Sequence, residues 1–236
     1  MSIVSGAAGS DALAAGELTG PGSTRLRIDF VSDIVCPWCA IGLAALEQAL
    51  ARLDGEVAAD IHVRPFELDP RMAAEGEDIS EHLRAKYGMT DAQLNESQAR
   101  IRERGVEVGV VFGQRTRTWN TFDAHRLLHW AGIAGRQLAL KRALLRAYFT
   151  DGLDVSDHST LVRVAAEAGL DAGRAAAVLA SGEYGADVRE EEQFFLRSGI
   201  ESVPAVVIDQ QHLVSGGQPV AVFERVLREI GAGRTR

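Results

Sequence analysis

The chain has 236 residues and a formal net charge of −8, with 46% hydrophobic and 25% charged residues. This composition is ordinary for a globular protein, and the length suits one large domain or a domain with a sizeable insertion. The acidic balance excludes nucleic acid as the main partner, and no apolar run approaches the roughly twenty residues of a membrane span. We therefore expect neither nucleic acid nor a membrane among its partners.

The first 24 residues are rich in glycine, alanine and serine and contain no lysine or arginine. A secretory signal needs a basic start and a continuous apolar centre, which this stretch lacks. We interpret residues 1–24 as a disordered tail and expect a cytoplasmic protein. In that compartment a Cys-x-x-Cys pair is more often catalytic than structural.

A β-α-β unit is predicted next. The apolar run at residues 26–35 indicates a strand buried on both faces, as in a parallel sheet. A helical pattern begins at Cys36 and ends near Gly55, and the alternating stretch at residues 59–66 predicts a second strand. The helix would then be the crossover between two parallel strands.

The two cysteines of the chain, Cys36 and Cys39, lie at the start of this helix. Unpaired backbone N–H groups and the positive end of the helix dipole favour an anion there, and the thiolate is the attacking species in disulfide exchange. Pro37 suits the first turn, and Trp38 would cover the pair with apolar surface. Cys36 is nearer the helix start and is the predicted nucleophile, with Cys39 as the resolving thiol.

Other interpretations of the pair are weaker. A structural zinc site usually has four Cys or His ligands, and the chain has no second pair of cysteines. His125 and His129 are four residues apart, but they belong to a separate predicted helix. A static disulfide would close a loop of only two residues and constrain the unfolded chain little. We expect redox chemistry, with no metal and no cofactor beyond the pair itself.

From residue 78 to residue 199 the pattern is almost entirely helical. The predicted helices cover residues 80–87, 90–104, 121–131, 137–149, 159–168, 171–181 and 184–198. Gly132 is the expected end of the third helix, and the apolar stretch at residues 106–112 interrupts the pattern as an extended segment.

The strand pattern returns after Gly199. Residues 205–208 and 212–214 flank a turn and predict a hairpin. Pro219 then opens a last amphipathic helix that reaches about Ile230. The predicted class is therefore α/β, in the order β-α-β, helical segment, β-β-α.

This layout and its motifs resemble the DsbA-like thiol–disulfide oxidoreductases, more closely their FrnE-type cytoplasmic branch. The resemblance covers residues 25–230. It rests on Cys36-Pro37-Trp38-Cys39, Ser202-Val203-Pro204-Ala205, Gly217-Gln218-Pro219 and the stretch from Asn120 to Arg126. It implies a thioredoxin-like domain at residues 25–77 and 200–236, with a large all-helical domain at residues 78–199 inserted between its halves.

The resemblance also implies roles for further residues. The Val203–Pro204 bond is expected to be cis and to face the cysteine pair, so that Val203 can offer its backbone to an extended substrate. The candidate substrate-groove residues are Asn120, Thr121 and His125. The candidate proton-relay residues for the resolving thiol are Asp29 and Asp33, although the acid of the periplasmic relatives falls at Phe30 in this chain.

The leading functional hypothesis is a protein disulfide oxidoreductase or isomerase acting through Cys36 and Cys39. Its expected partners are protein or small-molecule thiols and disulfides, and the chain is expected to be a monomer or a homodimer. The alternative is a glutathione-dependent transferase or isomerase of the kappa-class type, with glutathione as co-substrate. Those enzymes carry serine where Cys36 stands, which favours the first hypothesis. A non-catalytic binding protein is a third interpretation, weakened by two intact thiols.

Overall fold

The computed structural model describes residues 24–234. Residues 1–23 of the predicted tail lie outside that range, and Thr24 begins the first strand instead. Within the described range, no helix is both long enough and apolar enough to cross a bilayer.

The described residues form a series of strands and helices. In chain order they are β1 (Thr24–Ser32), α1 (Pro37–Arg52), β2 (Val57–Pro65), β3 (Glu77–Asp78), α2 (Ile79–Tyr87), α3 (Asp91–Glu107), β4 (Arg117–Thr118), α4 (Phe122–Ile133), α5 (Gln137–Phe149), α6 (His158–Glu167), α7 (Ala172–Ala180), α8 (Gly185–Arg197), β5 (Ala205–Ile208), β6 (His212–Ser215) and α9 (Val220–Arg234).

Strand β1 is the centre of the main sheet, whose order is β2-β1-β5-β6. It pairs in parallel with β2 and antiparallel with β5, and β5 continues antiparallel into β6. The parallel pair is joined through the crossover helix α1, as such pairs require. This topology is the predicted thioredoxin-like fold, with its β-α-β and β-β-α halves separated by a helical segment.

The helical segment is anchored on the sheet through the free edge of β2. Gln137, at the start of α5, accepts a hydrogen bond from the Val63 backbone N–H at 2.9 Å and donates one to the Val63 carbonyl at 3.1 Å. An edge strand presents unpaired backbone groups that attract other chains. Here one side chain satisfies two of them and fixes α5 beside the sheet.

One hydrophobic cluster runs through both parts of the structure. It joins Phe30 of β1 and Leu46 of α1 to residues of the helical segment such as Leu144 and Val178. The helices therefore share apolar contacts with the sheet. The division of the chain at residues 78 and 199 stays a prediction.

The predicted elements are present, with shifts at their ends. All seven predicted helices between residues 78 and 199 occur, and α5 has the predicted bounds. The prediction for Gly132 was wrong, because α4 continues to Ile133 and Gly135 makes the turn with a φ of 67°. The segment predicted as extended begins inside α3, which reaches Glu107. The short ribbon of β3 and β4 was not predicted.

Arg126 connects α4 to the end of α7 and to the loop between α7 and α8. Its buried guanidinium donates to the Glu183 carbonyl at 2.8 Å and to Asp123 Oδ1 at 2.7 Å, and also to the carbonyls of Val178 and Ser181. The planar fork of an arginine suits this arrangement, since it presents several donors at fixed angles.

We expect Arg126→Met to destabilise the protein by about 3 kcal/mol, because buried carbonyls would lose a charged donor. Urea unfolding measures the change. The control is Arg163→Met, which removes an exposed i,i+4 pair with Glu167 and should cost about 0.5 kcal/mol or less. Equal losses in the two variants would contradict the assignment.

Candidate active site

The cysteine pair lies where α1 begins. Cys36 is the N-cap residue with extended backbone, and Pro37 takes the first helical position. The first helical hydrogen bonds run from the N–H groups of Cys39 and Ala40 to the Cys36 carbonyl, at 3.1 and 3.3 Å. Both thiols are free. Cys36 is 4% exposed and Cys39 is fully buried, so Cys36 is the thiol nearer to solvent.

The loop before β5 lies directly against this pair. The Val203–Pro204 bond is cis, as predicted. The Cys36 thiol donates a weak hydrogen bond to the Val203 carbonyl, with 3.6 Å between sulfur and oxygen. The sequence prediction that this loop faces Cys36 is therefore confirmed, while the role of Val203 in holding substrate stays a prediction.

Two glycines allow this close packing. A Cβ atom at Gly42 would lie 3.1 Å from Pro204 Cγ, and one at Gly217 would lie 2.9 Å from the Trp38 carbonyl oxygen. Trp38 itself packs against the main hydrophobic cluster. The Gly217-Gln218-Pro219 motif thus lets the chain between β6 and α9 approach the backbone of the cysteine turn.

Asp33 is the acid that the structure places at the site. Its buried carboxylate accepts hydrogen bonds from the backbone N–H groups of Ile34 at 2.6 Å and Leu68 at 2.7 Å. His125 Nε2 lies 3.5 Å from Asp33 Oδ1. Burial raises the pKa of Asp33, but the nearby His125 ring with its charge, the Leu68 N–H and the charge of Lys141 together lower it below its usual value. Asp33 is thus held as a carboxylate.

Asp29, the other candidate relay, is engaged elsewhere. Its carboxylate accepts from Arg27 Nε at 3.0 Å and from Arg64 Nε at 2.7 Å. Burial raises its pKa, but these two bonds and charges outweigh burial and lower it. Its partners are arginines, whereas the backbone of Asp33 acts on the Cys39 thiol and opposes the rise in the pKa of that thiol.

The candidate groove residues have different surroundings. Asn120 donates to the Met72 carbonyl at 3.0 Å and accepts from the Phe122 N–H at 2.9 Å, so its side chain satisfies the start of α4. Thr121 is the N-cap residue by backbone position, yet its buried side chain makes no capping bond. His125 is buried against Asp33. The structure brings His125 to the site, and the groove role of all three stays a prediction.

Two site residues escaped sequence reasoning. Lys141 is fully buried in α5, and charge interactions link it to Cys39, Asp33 and Cys36. It lies between Leu140 and Leu144 on the apolar side of the helix, and that position in the sequence already indicates a buried side chain. Glu67 follows β2 and precedes Leu68, whose N–H bonds to Asp33. No local pattern distinguishes Glu67 from an exposed loop glutamate.

Glu67 belongs to a buried acidic pair with Glu192 of α8. The Glu67 N–H donates to Glu192 Oε1 at 3.0 Å, and Arg189 donates to both carboxylates. Burial and the charge of Glu192 raise the pKa of Glu67 to about 7, against the opposing effect of Arg189. The loop beside Asp33 therefore carries a group that titrates near neutral pH.

We expect Glu67 to make stability fall as pH rises. Between its ordinary pKa of 4.5 and about 7 the folded protein holds a proton that the unfolded chain does not. Glu67→Gln keeps the side chain neutral, so it should gain about 1–2 kcal/mol relative to the native protein between pH 5 and pH 8, after allowance for solvent screening.

Urea unfolding at both pH values tests this. Glu190→Gln, a substitution on the same helix as Glu192 at an exposed position, is the control and should show no such pH-dependent gain. A constant difference between Glu67→Gln and the native protein across this range would contradict the raised pKa.

The chain belongs to the DSBA-like thioredoxin domain family, whose sequence profile matches residues 27–228. A probable DsbA oxidoreductase from Streptomyces coelicolor is 38% identical, over 88% of this chain and 90% of that one, with a TM-score of 0.81. The Bacillus subtilis protein YwbO, described as uncharacterized, is 25% identical over 206 residues, which are 86% of this chain and 96% of YwbO.

A more distant structure shows the fold alone. The cytosolic disulfide reductase DsbM from Pseudomonas aeruginosa, solved with GSH, is 17% identical over 86% of this chain and 98% of its own, with a TM-score of 0.58. Family membership and the paired thiols together make the chain a DsbA-like enzyme of the oxidoreductase or isomerase type. The resemblance found in the sequence is confirmed at this level.

Proposed function

We propose that the protein exchanges disulfides with protein substrates through Cys36 and Cys39, as a cytoplasmic enzyme of the FrnE-type branch. The observation that carries the proposal is the geometry at the start of α1. There the Cys36 sulfur lies 3.6 Å from the Val203 carbonyl, beside Pro204. A substrate strand laid against the Val203 backbone would present its own sulfur to Cys36.

The two thiols are suited to different steps. Burial, together with a hydrogen bond and charge from Cys36, raises the pKa of Cys39 well above its ordinary value. Cys39 is also fully buried, so an external disulfide meets Cys36 first. Cys36 is therefore the nucleophile and Cys39 the resolving thiol, which is the order predicted from the sequence.

The reaction balances as two successive exchanges. The Cys36 thiolate attacks one sulfur of a substrate disulfide, forms a mixed disulfide and releases the other substrate sulfur as a thiolate. The Cys39 thiolate then attacks Cys36, which forms the Cys36–Cys39 disulfide and releases the second substrate thiolate. The substrate gains two electrons and the pair loses two, and the reverse sequence oxidises a substrate dithiol.

A small-thiol reaction is the second candidate. The DsbM structure was solved with GSH, which supports glutathione as a co-substrate in this second reaction. The enzyme would act as a monomer or a homodimer in either case. The presence of a thiol at position 36 favours disulfide exchange over the kappa-class reaction.

The order of the thiols is tested by two variants. We expect Cys36→Ser to abolish disulfide exchange, because Cys39 is buried and its pKa is raised. We expect Cys39→Ser to accumulate mixed disulfides, since Cys36 can still attack but nothing resolves the product. Mass spectrometry after incubation with a model disulfide measures the adducts. An adduct on Cys36→Ser and none on Cys39→Ser would reverse the assignment.

Insulin reduction with and without glutathione tests the substrate class. We expect the native protein to accelerate the reduction of insulin by dithiothreitol, and Cys36→Ser to lose that acceleration. Activity seen only with glutathione would favour the small-thiol reaction instead. No activity in either assay would contradict both proposals.

A further inference from the structure

Two buried acids join α8 to the loop that follows β2. The Glu67 side chain is 1% exposed and that of Glu192 is 9% exposed. The Glu67 N–H donates to Glu192 Oε1 at 3.0 Å. Arg189 Nη1 donates to Glu67 Oε2 and, at 2.7 Å, to Glu192 Oε2. One nitrogen of one guanidinium group therefore serves both carboxyl groups.

One oxygen of this pair receives no hydrogen bond. Glu67 Oε1 is buried and has no partner among the described residues. A buried carboxylate is costly unless its oxygens accept hydrogen bonds, and two carboxylates at one site resist ionising together. The geometry therefore favours a protonated Glu67 beside an ionised Glu192 that Arg189 neutralises. The pKa of Glu67, which burial and the charge of Glu192 raise to about 7, agrees with this arrangement.

The same loop holds the acid beside the cysteines. The next residue after Glu67 is Leu68, whose N–H donates to Asp33 Oδ2 at 2.7 Å. Asp33 in turn precedes the turn into Cys36. The Leu68 carbonyl accepts a hydrogen bond at 2.6 Å from Lys86, an exposed residue of α2. A movement of Glu67 away from α8 would therefore pull on the hydrogen bond to Asp33.

Helix α8 is fixed on both sides of this contact, so the loop is the part that can move. Arg189 lies over the Phe122 ring of α4, with 3.9 Å between its Cζ and the ring centroid. Glu191 accepts a hydrogen bond at 3.1 Å from Arg64 of β2. Neither of these contacts involves the loop.

We propose that the contact between Glu67 and Glu192 is a pH-sensitive latch, which holds the loop on α8 while Glu67 is protonated and releases it once both acids are ionised. The proton goes to solvent, the Glu67 carboxylate becomes hydrated, and the hydrogen bond from Leu68 to Asp33 weakens. This inference goes beyond the proposed exchange reaction and does not depend on which thiol reaction the protein catalyses.

The direction of the pH effect follows from the charges around Glu67. Glu192 of α8 and Asp33 of the turn after β1 oppose its ionisation, and Arg189 of α8 favours it. In the latched state Glu67 keeps its proton up to about pH 7, whereas in the released state it ionises near its ordinary pKa of 4.5. The released state binds fewer protons between these values, so release becomes more favourable as pH rises through this range.

Amide hydrogen exchange followed by NMR measures the release. The N–H groups of Glu67 and Leu68 donate to carboxylates of the latch and of the cysteine site, so their protection reports the two contacts separately. After division by the intrinsic exchange rate at each pH, we expect the protection of both amides to fall at least about 10-fold from pH 5 to pH 8. Constant protection at Glu67 would overturn the latch, and a fall at Glu67 alone would overturn its link to Asp33.

Low urea separates local release from global unfolding. Exchange through global unfolding accelerates with denaturant, whereas exchange through a small local opening does not. At about 1 M urea we expect faster exchange at core amides such as that of Phe30, and unchanged exchange at Glu67 and Leu68. Equal acceleration at all three amides would mean that the loop opens only when the whole protein unfolds, which would overturn the proposal.

Three substitutions assign the effect to the acidic pair. Glu67→Gln cannot ionise, so the protection of the Leu68 amide should be the same at pH 5 and pH 8. Glu192→Gln keeps an oxygen for the Glu67 N–H but removes the opposing charge, so most of the pH dependence should be lost. Glu190→Gln, at an exposed position of the same helix, is the control and should retain the native pH dependence. A native pH dependence in a folded Glu67→Gln protein would overturn the proposal.

Discussion

The site depends on one buried carboxylate at the end of the central strand. Asp33 accepts the N–H groups of Ile34 and Leu68, and His125 of α4 lies against it. A buried charge is tolerated only while such partners surround it. The turn into Cys36, the chain after β2 and helix α4 are therefore held in one arrangement, and the cysteine pair lies beside it.

Local patterns were sufficient for most of the fold. The strands on either side of α1 and the β5–β6 hairpin follow from hydrophobic period and turn residues, which act over a few neighbours. The ribbon of β3 and β4 was missed because two residues per strand carry no period. The anchoring of Gln137 on Val63 was missed because it joins residues 74 positions apart.

The site could be predicted in part. Spacing and motif located Cys36, Cys39 and the cis Val203–Pro204 bond. The two candidate acids could not be ranked, since Asp29 and Asp33 follow the same strand pattern and differ only in what folds against them. Arginines from β1 and β2 reach the first, while backbone N–H groups and His125 reach the second. That difference arises from tertiary contacts, which no local sequence pattern indicates.

The helical segment supplies much of the charge around the thiols. His125 comes from α4, Lys141 from α5, and Glu192 of α8 holds the loop that carries Glu67. Charges act strongly on one another in a low-dielectric interior, and interacting groups titrate together rather than singly. Burial and Cys36 raise the pKa of Cys39 and the charge of Lys141 opposes them, so the packing of α5 against the sheet bears on the chemistry of the thiols.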